Sequence, residues 1–262
     1  MNKRNQIPLP ASYDRIIVEA ETLLPSFAPI ARETPYELLG ILYSEALFLL
    51  GCLRTVPQVT RLLESGTARG QSTVLFARAL PHMHIETIEY DTSSPNVAIA
   101  DIRLKPYQNV TRVFGDSRAE LPRRIGPDAA VIIDGPKMFL AIRLALKLLA
   151  TGQVAGVFIH DMLVGTPERE FLNRFFDEAR FSDYRPYAER THKLDAPAAS
   201  VLYPHMQMGG FSGDYGYGFA LAWLPYVPGR SYQLLHAFSF IYDALAKPKA
   251  ITARVWRKLL AP

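Results

Sequence analysis

Between Val59 and Ala179 short apolar runs alternate with helical patterns five times over, and nothing else in the chain constrains its fold as tightly. Val59–Ser65, Ile85–Tyr90, Val110–Phe114, Asp128–Asp134 and Val154–His160 read as strands. Gly70–Leu80, Pro95–Leu104 (opened by Ser94), Lys137–Ala150 (stopped by Gly152) and Thr166–Ala179 carry apolar residues at helical spacing. Such alternation implies parallel strands joined by crossover helices on both faces of a sheet. In sheets of this kind the ligand sits beyond the carboxyl ends of the strands, so the residues that follow each strand are the informative ones.

The flanks are less regular. Ser12–Leu24 and Tyr36–Arg54 read as helices, with Pro25, Pro29 and Pro35 marking breaks. Beyond Ala179, Ala199–Tyr203 and Tyr217–Leu224 look like strands, and the sheet is expected to end in an antiparallel pair. Its sixth strand is either Asp183–Ala188 or Ala199–Tyr203. Ser231–Leu245 and Ile251–Leu260 read as two helices around Pro248. The expected organisation is a helical cap over 1–54, an α/β domain over 55–228 and a basic helical extension over 229–262. With 49% hydrophobic and 21% charged residues, 262 residues can bury a sizeable core. One cysteine, Cys52, rules out an internal disulfide and a multi-cysteine metal site, and its apolar surroundings suit a buried thiol. The first ten residues have no apolar core of a signal peptide, no segment is long enough to span a membrane, and a cytoplasmic location is expected.

The strand ends form a series. Glu64-Ser65-Gly66-Thr67-Ala68-Arg69-Gly70-Gln71-Ser72-Thr73 follows the first strand, and its two glycines let the backbone turn tightly and approach a ligand. The helix after them offers free amides to a carboxylate or phosphate. Many strand–helix turns need a glycine for steric reasons alone, so this segment by itself indicates only a nucleoside- or phosphate-binding turn. The second strand ends in Glu89-Tyr90-Asp91, where a carboxylate can accept both hydroxyls of a ribose. Gly115-Asp116-Ser117 follows the third strand, Asp134-Gly135-Pro136-Lys137 the fourth and His160-Asp161 the fifth. The nicotinamide fingerprint G-x-G-x-x-G is not met, because Ser65 precedes Gly66 and Ala68 follows Thr67. An NAD-linked dehydrogenase is therefore the weaker reading of this topology.

The runs LLESGTARGQST, IETIEYD, VTRVFGDS, AAVIIDGPK and GVFIHDM resemble the class I S-adenosylmethionine (SAM)-dependent methyltransferases. The resemblance is nearest to the branch with catechol O-methyltransferase-like and macrocin- or cephalosporin-hydroxylase-like members, and covers Tyr43 to Leu224. It implies a Rossmann-like, seven-stranded, mostly parallel sheet with an antiparallel last strand. It further implies that Glu64, Gly66, Thr67, Gly70 and Ser72 surround the methionine end of SAM, that Glu89 holds the ribose, and that Asp116 and Ser117 flank the adenine, with Asp134 nearby. The expected reaction is O-methylation of a small molecule or sugar unit. A methyltransferase-like binding or assembly module without catalysis is the alternative from another class.

In that branch an acid after the fourth strand and an Asp-Asn pair after the fifth hold a divalent cation, and a lysine three residues past the first acid serves as base. Asp134 and Lys137 reproduce the first spacing, whereas His160-Asp161 stands in place of Asp-Asn. Asp134, His160 and Asp161 are thus candidate ligands for a cation such as magnesium, although histidine suits a softer ion. Lys137, His160 and Asp161 are the candidate catalytic groups, with Lys137 or His160 as base if no metal is used. The bland reading makes Asp134 a helix cap and Lys137 a solvated first-turn residue.

Charge is unevenly placed. Residues 229–262 carry Arg230, Lys247, Lys249, Arg254, Arg257 and Lys258 against Asp243 alone, a net +5, which leaves the first 228 residues at −1 within a total of +4. Leu234, Leu235, Phe238, Ile241, Tyr242 and Leu245 share a helical face, and Trp256 lies among the cations. The tail can therefore pack on the sheet or a second subunit, or touch a membrane surface. Nucleic-acid binding is not expected, since no stacking motif accompanies the few cations. The glycine-rich stretch Gly209–Gly218 is either a lid over the acceptor or a long hairpin loop.

Overall fold

The computed structural model describes residues 11–37, 40–198 and 220–259, with side chains as far as Ala246. Two helices, α1 (Tyr13–Glu33) and α2 (Tyr43–Arg54), precede the alternating region. There β1 (Arg61–Ser65), α3 (Gln71–Ala79), β2 (His84–Glu89), α4 (Asn96–Leu104), β3 (Val110–Phe114), α5 (Ser117–Arg124), β4 (Ala129–Ile133), α6 (Phe139–Leu149), β5 (Gly156–Ile159) and α7 (Pro167–Phe175) follow in turn. The chain continues with β6 (Arg180–Phe181), α8 (Arg185–Thr191), a single 3-10 turn His192–Asp195, β7 (Ala222–Pro225) and α9 (Tyr232–Leu259).

The sheet order is β3-β2-β1-β4-β5-β7-β6. β3, β2, β1, β4 and β5 are parallel, and β7 runs antiparallel to both β5 and β6. This is the Rossmann-like, seven-stranded arrangement that the resemblance implies. Side chains alternate across it because successive residues of a strand face opposite ways. Leu62, Ile85, Ile132 and Phe158 pack with Ile16, Phe27, Leu47 and Phe48 of α1 and α2. Leu63, Ile88, Val131, Ile133 and Ile159 pack with Phe139 and Ile142 of α6 and Phe171 of α7. Gly156 opens β5 without a side chain because a Cβ there would lie 2.1 Å from the Trp223 ring. Cys52 is buried, and burial pushes its thiol well up from the usual value.

Several boundaries differ from the sequence reading. α1 runs straight through Pro25 and Pro29, which do not break it. Pro25 is exposed and Pro29 half-buried, so the carbonyls that lose an amide partner are near water. Tyr36, Glu37, Gly40 and Ile41 lie outside α2, which starts at Tyr43. α5 was not anticipated, since its eight residues bury only Leu121 and include Pro122. Of the two candidates for the sixth strand, Asp183–Ala188 is not one. Among the described residues the sixth strand is the two-residue β6, and residues 185–188 of that candidate belong to α8, opened by Pro186 at a position where a helix needs no amide. The tail is one helix through Pro248, not two. Ala199–Tyr203 and Gly209–Gly218 lie outside the described residues. No helix of the described residues is long and apolar enough to cross a membrane.

Candidate active site

Register brings the strand ends level. Ser65 of β1 pairs with Ile88 of β2 and Ile133 of β4, and Ile133 pairs with Ile159 of β5. The residues that follow, Gly66, Glu89, Asp134 and His160, therefore share one edge. Strand order reverses between β1 and β4, and that switch point leaves room for a ligand. A cleft partly open to solvent lies there. Its lining includes Glu64, Gly66, Thr67 and Ser72 on one side and Asp134 and His160 on the other.

The β1–α3 turn is held from beneath. Glu64 is buried, and its two carboxylate oxygens accept the hydroxyls of Ser72 (2.5 Å) and Thr73. Burial raises its pKa, and those hydroxyls act against the rise. Thr67 and Thr87 share a hydroxyl hydrogen bond of 2.7 Å. Gly66 and Gly70 have φ of +98° and +78°, which a Cβ would strain. With glycine as its N-cap, α3 has no side chain over its first amides, so these stay open to an anionic group. Glu89 receives the backbone amides of Ala68 (2.9 Å) and Asp91 (3.0 Å), which aim its half-buried carboxylate along this edge.

Asp116 and Ser117 stand beside β3 but do not line the cleft. Asp116 caps α5 through the Arg118 amide and pairs with the Arg118 guanidinium (2.6 Å), which holds its carboxyl below the usual value. The Ser117 hydroxyl donates to the Gly135 carbonyl at 3.0 Å. A nucleoside base would thus meet an ion pair here rather than a free acid.

On the other side the structure gathers five charged groups. His160 is buried, its Nδ1 2.7 Å from Asp134 Oδ1 and 3.3 Å from Asp161 Oδ1, and its Nε2 3.2 Å from Glu45 Oε2. Burial alone would strip its proton, yet Asp134 and Glu45 outweigh this and raise its pKa well above the usual value. Burial likewise opposes the Asp134 charge, but His160 and then Lys137 hold its pKa far below the ordinary carboxylate value. Lys137 Nζ donates to both Asp134 and Asp161, the latter at 2.5 Å, and despite desolvation these two acids raise its pKa. Both proposed bases are therefore biased towards their protonated forms.

Asp134, His160 and Asp161 each present a ligand atom within 4.8 Å of the others, so the expected cation donors do come together. The arrangement suits a divalent ion poorly. Lys137 already spans Asp134 and Asp161, and an imidazolium between two carboxylates has no lone pair to give.

Sequence reading missed two contributors. Glu45, from α2, supports His160 across 115 residues of sequence while accepting the Leu42 amide, and its other oxygen is buried with no partner. A lone acid at the start of the apolar run Ala46–Leu53 was the available signal. Gln71 lines the cleft with a buried, unpartnered Oε1 and ties the α1–α2 connection to α3 through the Ile41 carbonyl (3.2 Å). Ala68, Met138 and Asp161 have φ of +44°, +61° and +61°. Such strain costs about 1–3 kcal/mol per residue and gathers where function requires it.

No family model and no curated protein matches the chain. Solved structures similar to it include the O-methyltransferase TomG from Streptomyces achromogenes, involved in tomaymycin synthesis and in complex with SAM. It is 22% identical over 84% of this chain and 93% of that one, with a TM-score of 0.43. The O-methyltransferase from Bacillus cereus, in complex with SAH, is 18% identical over 79% and 90% of the two chains, with a TM-score of 0.42. The SAH-bound methyltransferase PaMTH1 of Podospora anserina is 14% identical over 83% and 98%, with a TM-score of 0.41. At scores below 0.5 the fold rests on the strand order itself.

Proposed function

We propose that the protein is a SAM-dependent methyltransferase that methylates a hydroxyl of a small molecule or sugar unit. One observation carries this reading: the glycine turn and the Asp134–His160 pair line the same cleft. SAM fits the turn side. The first amides of α3 suit its carboxylate, and the buried, unpartnered Gln71 Oε1 and the Glu64 carboxylate suit its ammonium. Glu89 suits the ribose hydroxyls. Bound there, SAM supplies a sulfonium-activated methyl group, so the protein has to align the acceptor and stabilise its oxygen as negative charge develops. Lys137, about half exposed and paired with Asp134 of the cleft wall, is the cation that would do this where a metal would otherwise lower the acceptor's pKa. Asp161 orients that ammonium and is the carboxylate available to take the hydroxyl proton.

Titration calorimetry is expected to show SAM binding with a dissociation constant of roughly 1–100 µM. No heat at millimolar SAM, or binding of NAD(H) instead, overturns the reading. SAM binding without transfer to any hydroxyl acceptor favours the non-catalytic module. Since Lys137 stands where the cation would, EDTA is expected to change turnover by no more than about twofold. Loss of turnover on chelation, restored by magnesium, would return the cation to the site.

A further inference from the structure

α9 is turned inside out. Its inner face, packed on α6 and α7, holds polar groups among its apolar ones. Ser239 is fully buried, and Asp243 pairs with Arg143 of α6 at 2.6 Å beside Leu235 and Tyr242. Its outer face is apolar. Leu234 (63% exposed), Phe238, Ile241 (55%) and Leu245 (68%) recur at helical spacing, joined by Phe240 and the exposed Ala237 and Ala244. Gln233 is the sole polar residue of that exposed face among the described residues. Leu234, Ile241 and Leu245, each more than half exposed, form one outward strip. It is flanked by Phe238, whose ring also meets Phe175 of α7 at 5.4 Å, and by Phe240, whose ring lies against Arg143 of α6 at 4.0 Å. An apolar strip of this kind exceeds scattered exposure and marks a contact.

Charge decides what the contact is. The helix continues to Leu259, and residues 247–259 hold Lys247, Lys249, Arg254, Arg257 and Lys258 with no acid. Asp243, the only acid of the helix, is already engaged by Arg143. A second copy of α9 brings further cations and no anion to meet them. An anionic lipid surface takes the apolar face into its acyl boundary and the cations onto its phosphates. We propose that α9 is an interfacial helix that docks the protein on anionic membrane surfaces.

Vesicle co-sedimentation of the full chain tests this. The protein is expected to partition at least about tenfold more strongly onto phosphatidylcholine vesicles containing 30% phosphatidylglycerol than onto pure phosphatidylcholine, and to be released by 0.5 M salt. The Ile241→Asp, Leu245→Asp double variant, at two positions more than half exposed, should stay in the supernatant while its thermal unfolding and SAM titration match those of the parent. The proposal falls if the parent remains in the supernatant with every vesicle. It falls equally if light scattering shows a dimer that the double variant dissolves and vesicles capture neither protein. SAM binding has no part in this helix, so failure of either reading leaves the other standing.

Discussion

The Asp134→Ala variant is expected to lose about a hundred- to a thousandfold in kcat while its affinity for SAM changes less than about threefold. Asp134 bridges His160 and Lys137 through one oxygen, Oδ1, and is the closer of the two aspartates to His160, at 2.7 Å against 3.3 Å for Asp161. Without it His160 keeps Glu45 and Lys137 keeps Asp161, and only the longer 3.3 Å contact of Asp161 with His160 still links the two cations. The ammonium then swings into the solvent at the mouth, and the acceptor oxygen loses a preorganised positive charge. Removing one partner of a fully buried pair costs about 3–5 kcal/mol; Asp134 keeps 31% of its side chain in solvent, so about 1–2 kcal/mol is the expected loss of stability. Asp134→Asn preserves the shape and an acceptor for His160 and should retain about tenfold more activity than the alanine variant. Single-turnover rates, SAM calorimetry and thermal unfolding of both variants separate these effects. If SAM affinity falls together with kcat, Asp134 belongs to the cofactor side of the cleft, where its Cβ already lies 3.5 Å from the place a Gly66 side chain would take.

The strand ends were legible because parallel strands buried on both faces read as unbroken apolar runs. The apolar runs of β4 and β5 alone place Asp134 and His160 on one edge. What they do there was not legible. Lys137 and His160 read as bases from residue type, whereas their carboxylate neighbours favour the protonated form of both. Glu45 comes from a helix that precedes the sheet, so its approach to His160 depends on how α2 lies on that face and leaves no local spacing to find. α5 escaped because capping by Asp116 and one buried leucine make a helix without a periodic stripe. The outward apolar face of α9 was hidden for the opposite reason: its periodicity is that of a core helix, and packing alone reveals which side is covered.

Asp195 provides the largest expected effect on stability. It closes the 3-10 turn after α8, is buried, and accepts the Ser44 amide at 3.0 Å. Burial, then the nearby Glu45, push its pKa from 3.8 to about 7 against the help of the Ser44 amide. In the unfolded chain the proton leaves near pH 3.8, whereas in the folded protein it stays until about pH 7. Across that window the unfolded state binds fewer protons, so stability declines as pH rises and levels off above pH 7. The full shift corresponds to at most about 4 kcal/mol. Asp195→Asn keeps the size and the carbonyl oxygen that accepts the Ser44 amide but removes the titration. Its Tm is therefore expected to match the parent's near pH 4.5 and to exceed it by about 5–10 °C at pH 8. Glu64 and His160 also have displaced pKa values, but both proteins contain them and they cancel in the difference. Parallel Tm curves across this range would show that Asp195 is ionised in the folded protein. The charge would then stand beside Glu45 at neutral pH, and the cation held between Glu45 and Asp134 would be answering two acids from the α2 side rather than one.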